Sequence, residues 1–313
     1  MPLRFRMAER DDSNEIVSLL NATFRTPIDV PTWEWYVYGN PNGPSRIYLA
    51  LEPSDDAIAG VVGFNPIPLR LEDATVMCDY GHHLAIKPAY RDTMSYLALM
   101  RHVLRAQAAG PTHLAIGPPN RTAYPIHKAL MRWHDFGFLD CLRKLAPQGQ
   151  AHSCRQITTF PHDFDRFYAE VSKDLRFCVS KNREWVNWRF FQRPGSVYTT
   201  YAATDSAGLL VGYVVLKLWR EPNGYSKAHI LDLHALNDEA LSELLAAAEC
   251  YATGCDELNL WAVQGYPYRT FLESSGFSPS HRQPLLAWPY NGFPVPYPSG
   301  SCSLAYGDGD TQY

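Results

Sequence analysis

No two cysteines in this 313-residue chain are spaced as Cys-x-x-Cys, and the seven present are odd in number. A zinc ribbon and a disulfide framework are therefore not indicated. The cysteines read as small hydrophobes in a reducing compartment. No run approaches the 18 apolar residues of a membrane-spanning helix. The opening MPLRFRMAERDD lacks the apolar segment of a signal peptide. A soluble, cytoplasmic protein is the expectation. Basic residues are not in excess either: 28 Lys and Arg stand against 32 Asp and Glu, for a net charge of −4. That balance argues against a nucleic-acid coat, although net charge does not report where charge is placed.

What is present is apolar. Hydrophobic residues make 46% of the chain, enough to bury sizeable cores, and 313 residues suit two ordinary domains or one large one. Aromatics, at 13%, suit core packing first. Alternation predicts a strand at 3–7. A helix follows with Ile16, Leu19, Leu20 and Phe24 on one side, then a short aromatic helix over 32–38. Strands are predicted at 47–51 and 58–64, and a strand pair around 71–73. The stretch from His82 to Phe138 reads strand, turn, helix, strand, helix, a βαβ unit whose ligand site is expected at the carboxyl ends of its strands. Residues 146–162 lose periodicity, so a boundary is placed there. The expected units are 1–148, 149–290 and a Pro/Gly/Ser-rich tail, 291–313, with partial disorder in the tail.

The two units repeat one another. EWYVYGNP (34–41) aligns with NWRFFQRP (187–194), matching Trp35 to Trp188 and Pro41 to Pro194. AGVVGF aligns with LVGYVV. Each unit closes on a helix and Gly-Phe, at Gly137-Phe138 and Gly276-Phe277. Two copies of one fold are implied.

The repeated order, together with AIKPAYRDTMSYLALM (85–100) and PPNRTAYPIHKAL (118–130), resembles the GNAT acyltransferase superfamily. The resemblance implies an α/β (α+β) architecture of two tandem GNAT-like domains, each a mixed, mostly antiparallel sheet flanked by helices. It also implies transfer of an acyl group from a thioester to an amine. Such chemistry needs a base for the amine proton, backbone N–H donors for the oxyanion and an acid for the departing thiolate. Leu84, Ile86, Arg91, Thr93, Ser95 and Asn120 match the donor segment. One departure matters: Met94 and Tyr96 occupy the positions where the superfamily's loop has small residues against a pyrophosphate, and Asp92 adds negative charge there.

His127 stands seven residues after Asn120, where the family's helix carries an acid Tyr, and Tyr124 is the alternative acid. Phe271 at the aligned position of the second unit cannot donate a proton, which puts the chemistry in the first. Asp79, His82 and His83 are candidates for the base, with alternation sending the two imidazoles to opposite faces. For the acceptor, Asp232 and His234 share a strand face and Trp35 is a possible platform, against the alternatives of ordinary polar positions and aromatic packing. No metal is expected, and no tightly bound cofactor. The leading expectation is an N-acyltransferase of a biosynthetic pathway, taking its acyl group from acyl-CoA or an acyl carrier protein to a small-molecule amine. The alternatives are an aminoacyl-tRNA-dependent, Fem-type transferase and a GNAT-like binding module without catalysis.

Overall fold

The computed structural model describes residues 3–24, 27–195, 198–295 and 300–309. In chain order, β1 (Arg4–Met7) leads to α1 (Ser13–Thr23) and α2 (Val30–Tyr38), then β2 (Arg46–Leu51), β3 (Ile58–Leu71) and β4 (Ala74–Ile86). Next come α3 (Thr93–Ala108), β5 (Leu114–Gly117), α4 (Ala123–Ala129) and β6 (His134–Leu145). The order then recurs. β7 (Arg155–Ile157), α5 (Phe164–Val171), a short β8 (Phe177–Val179) and α6 (Arg183–Phe191) precede β9 (Tyr198–Thr204), β10 (Leu210–Arg220) and β11 (Ser226–Ala235). After them come α7 (Asp238–Tyr251), β12 (Glu257–Val263), α8 (Arg269–Ser274), β13 (Ser278–Pro289) and β14 (Cys302–Ser303). No helix among the described residues is long and apolar enough to cross a membrane.

Local chemistry sets the helix starts. Asp29 accepts from the Thr32 amide at α2, Asn182 from Trp185 at α6 and Asn237 from Ala240 at α7. Each satisfies an otherwise unpartnered N–H of the first turn. The expected strand pair around 71–73 is a single long hairpin, with Leu71 opposite Ala74 and pairing back to Gly60 opposite Ile86.

All these strands form one sheet, in the order β1-β2-β3-β4-β5-β13-β6-β12-β11-β10-β9-β7, with β8 and β14 paired off the path. The two repeats meet at its centre and exchange their last strands. β13, from the second repeat, pairs with β5 of the first, and β6, from the first, pairs with β12 of the second. β6 and β13 pair with each other. A closing strand belongs to the expected order of each repeat, but its exchange into the other repeat does not follow from the sequence.

One continuous apolar layer covers one face of the sheet and joins both repeats through Trp33, Tyr36, Phe136, Phe164, Phe190 and Tyr213. On the other face, α3 packs over the first repeat through Leu97, Met100 and Val103, and α7 over the second through Leu241, Leu244 and Leu245. The repeat-matched Trp35 and Trp188 stack on each other, with ring centroids 5.0 Å apart.

The tail departs from the expected disorder where it is described. Cys302, Leu304, Tyr306 and Asp308 are buried. Residues 296–299 and 310–313 lie outside the described residues.

Candidate functional site

β4 and β5 run parallel and pair only from Cys78–Tyr80 to Leu114–Ile116. Beyond Tyr80 the two strands part, and β4 continues to Ile86 beside β3 alone. A cavity of about 340 Å³ fills the opening. Its walls include Gly81, His82, His83 and Leu84 from β4, Gly117 to Asn120 after β5, and His127 of α4. The far wall is shared by Met100, Trp133 and Phe24.

The β4 edge is irregular here. Val61 faces Ala85, but Gly63 faces His82, so one residue of β3 opposes two of β4. Such a bulge breaks the alternation of side chains. His83 carries it with φ of +49°, a left-handed conformation that costs a non-glycine residue energy. The result reverses the expectation of opposite faces. Both imidazoles turn the same way, their Nδ1 atoms 2.7 Å apart, and both rings meet Tyr36 edge-on. Gly63 makes room, because a Cβ there would overlap the His82 ring. His82 Nε2 is buried without a hydrogen-bond partner, and burial, followed by the neighbouring His83, holds the His82 pKa well below the ordinary imidazole value.

Across the cavity, Tyr96 of α3 and Nε2 of His127 share a short hydrogen bond. The His127 ring also meets Trp133 at 4.7 Å. Burial pushes the His127 pKa down to about 4, so it is neutral at pH 7, and its Nδ1 is left without a partner.

No family model matches the chain, and no curated protein matches it. Solved structures do. A GCN5-related N-acetyltransferase from Anabaena variabilis superposes with a TM-score of 0.69 at 14% identity, over 92% of this chain and 73% of that one. An Enterococcus faecalis V583 protein of unknown function, a probable N-acyltransferase, gives 0.69 at 15% identity, over 93% and 73%. The N-myristoyltransferase of Saccharomyces cerevisiae, solved with bound myristoyl-CoA, gives 0.68 at 10% identity, over 94% and 80%. The chain has the GNAT fold.

The residues expected to meet a donor sort into three groups on this fold. Leu84 and Asn120 line the cavity. Asn120 also holds the turn into α4, its Oδ1 accepting from the Thr122 and Ala123 amides at 3.0 and 2.9 Å. Ile86 and Arg91 hold each other outside the cavity, the guanidinium donating to the Ile86 carbonyl at 3.0 Å. Thr93 and Ser95 sit in the first turn of α3, where the Met94 and Ser95 amides are already taken. Asp92 Oδ1 accepts from Met94 N at 2.8 Å and from Ser95 N at 2.9 Å, and its Oδ2 accepts from the Ser95 hydroxyl. The chain's own carboxylate thus occupies the anion position of this helix start. Tyr96 does not obstruct it. The ring is buried and turned inward to His127.

Three candidates are not brought to the cavity. Asp79 is fully buried, paired with Arg46 and accepting from Thr112 at 3.0 Å and Tyr290 at 2.9 Å. A carboxylate so enclosed fixes strands to one another and is no free base. Tyr124 does not line the cavity and donates instead to Asp135 at 3.2 Å. Trp35 is stacked on Trp188.

Asp232 and His234 occupy the matching opening of the second repeat, where β11 and β12 pair only from Lys227–His229 to Glu257–Asn259. That opening holds chain. Tyr306 stacks on Trp261 of β12 at 4.4 Å and meets His229 of β11 at 5.6 Å. Arg189 donates to the carbonyls of Gly307 and Gly309. Lys181 Nζ bridges Asp232 at 2.7 Å and Asp308 at 2.8 Å, all three fully buried, and Tyr213 donates to Asp232 at 2.7 Å. Burial opposes ionisation of Asp232, but Lys181 outweighs it and holds the carboxyl below the usual range. Asp308 is pushed up by burial and by its acidic neighbour.

Sequence reasoning missed Gln283. It reaches the first cavity from β13, its amide donating to the Pro118 carbonyl at 3.1 Å. No local signal near residue 283 points there, because the contact exists only through the strand exchange.

Proposed function

We propose that this chain is an N-acyltransferase that moves an acyl group from a thioester to the amine of a small molecule, and that it does so in the opening between β4 and β5. One observation carries the reading: a cavity between parted strands with an imidazole pair on its β4 wall and a third imidazole on α4.

The free edge of β4 past Tyr80 has N–H groups that a pantetheine-like arm and the tetrahedral oxyanion would take. The His82–His83 pair accepts the amine proton. His82 Nδ1 meets His83 Nδ1 at 2.7 Å, so a proton taken at one ring is shared with the other. His127 is neutral and tied to Tyr96, so the pair steadies the leaving thiolate by hydrogen bonding, and the proton taken from the amine is the one that returns to the thiol. The α3 start does not fit a pyrophosphate while Asp92 holds its amides. Donor affinity therefore rests on the acyl and pantetheine portions. An acyl-CoA and an acyl carrier protein both offer these.

Thiol release from acetyl-, octanoyl- and myristoyl-CoA and from an acyl carrier protein, measured over a panel of amines, tests the reading. Turnover abolished by His82→Ala with His83→Ala supports it. Absence of turnover with every donor, together with no thermal shift on adding any of them, sinks it.

A further inference from the structure

A second concavity lies behind the first. A groove of about 510 Å³ runs between the carboxyl-terminal half of α3, the turn from α4 into β6 and the end of β13. Its apolar lining includes Leu104, Met131, Trp288 and Tyr290. Its charged lining is Arg101, Arg105 and Arg132, and no Asp or Glu joins them. Arg101 and Arg105 are one helical turn apart on α3, so their guanidinium groups share a face. Arg132 approaches from the other bank with φ of +58°, a conformation that an L-residue adopts at a cost. All three are exposed, and among the described residues their guanidinium groups make no ion pair or hydrogen bond. Their neighbours differ: Lys128 on α4 is paired with Asp135 at 2.7 Å. In a chain with net charge −4, three convergent unpaired arginines over an aromatic floor are a local reversal of sign.

We propose that this groove binds a phosphorylated planar ligand of mononucleotide size, its ring against Trp288 and its phosphates on Arg101, Arg105 and Arg132. The chemistry favours that occupant. Guanidinium forks hold phosphate oxygens in pairs, which surface lysines do not. A half-buried indole offers a face to a flat ring. The groove's volume suits a small molecule rather than a helix or an extended chain. It is separate from the reaction cavity but touches its wall, since Trp288 packs 6.3 Å from Trp133, which lines that cavity and carries His127 on its ring. Tyr290, on the floor, donates to Asp79 at 2.9 Å.

The probes are ADP, adenosine, pyrophosphate and a short oligoadenylate, titrated into the full chain at low salt and followed by tryptophan fluorescence and calorimetry. ADP is expected to bind and to quench tryptophan emission, with pyrophosphate weaker and adenosine weaker still. Arg101→Gln with Arg105→Gln is expected to weaken ADP by about 10-fold or more while the melting temperature stays near that of the parent. Arg132→Asn, which suits the left-handed backbone, is expected to weaken ADP as well. Failure of ADP to bind at millimolar concentration overturns the proposal. So does ADP binding untouched by the arginine variants, or binding of the oligoadenylate alone. Thiol release from acyl donors is measured separately on the same variants, so a failure here leaves the acyl-transfer reading to its own test.

Discussion

The two repeats open the same pair of strands and then treat the opening in opposite ways. Between β4 and β5 there is a cavity walled by imidazoles. Between β11 and β12 there is the chain's own segment, Tyr306 to Gly309, seated on an aromatic pair and locked by Lys181. The backbone design alone does not decide whether the opening stays a cavity or is filled by chain. What decides it is which side chains stand at the bend of the strand. Two histidines at a bulge leave space and donors; an aspartate that draws in a lysine and a second aspartate closes the space.

The largest expected break in this comparison comes from separating the repeats. Residues 1–148 expressed alone lack β12 and β13 and so leave one edge of β5 and both edges of β6 unpaired. That fragment is expected to be insoluble or unfolded by circular dichroism, and a cooperative melt would contradict the exchange as described. Next is Asp308→Ala, which leaves Lys181 buried with one carboxylate. A loss of about 3 kcal/mol or more in urea unfolding is expected, and a change within error would mean that the tail does not hold the second opening. Gly63→Ala should follow, since the new methyl must displace the His82 ring. Acyl transfer is expected to fall about 10-fold or more with a smaller change in stability, read by turnover and melting together.

A milder change sharpens the donor side. Asp92→Ala frees the Met94 and Ser95 amides, so KM for acyl-CoA is expected to drop with kcat nearly constant, while an acyl carrier donor changes less. The smallest effect is on pH. The folded pKa of His127 is about 4, below its unfolded value, so the unfolded chain binds the extra proton between those two values. Stability from this group is complete above the unfolded imidazole pKa of about 6.5 and declines as pH falls toward 4. His127→Gln should flatten that decline by about one proton in melts from pH 7 to 4.5. An unchanged slope would place the titration elsewhere.

Much of this was legible in the residues. The order of elements, the matched Trp35 and Trp188, and the donor-segment strand and helix follow from periodicity and turn chemistry, which act over a few residues. Asn120 reads as a cap, and its Oδ1 does hold amides of the turn into α4, two residues ahead of the N-cap Thr122. His82 and His83 were found, but their shared direction was not, because a bulge is a mismatch between two strands and leaves no mark on either alone. Tyr96 looked like an obstruction to a phosphate; its orientation toward His127 depends on how α3 lies against α4. Asp79 looked like a base until its three partners, 33 or more residues distant in sequence, closed around it. The exchange of closing strands and the place of Gln283 were illegible for the same reason: long-range pairing is decided by which edge is free, and no short window records that.

The exchange of β6 and β13 has a consequence for the order in which the molecule is made. The first repeat leaves the ribosome early, yet the neighbour that β5 requires is the last long strand of the chain. Until about residue 289 has emerged, β5 presents a bare edge of the sort that recruits foreign strands. The Pro118–Pro119 wall of the first cavity also waits for Gln283. Completion of the site is thus a late event of synthesis, and a nascent chain stalled before β13 would carry its imidazoles in an unfinished sheet.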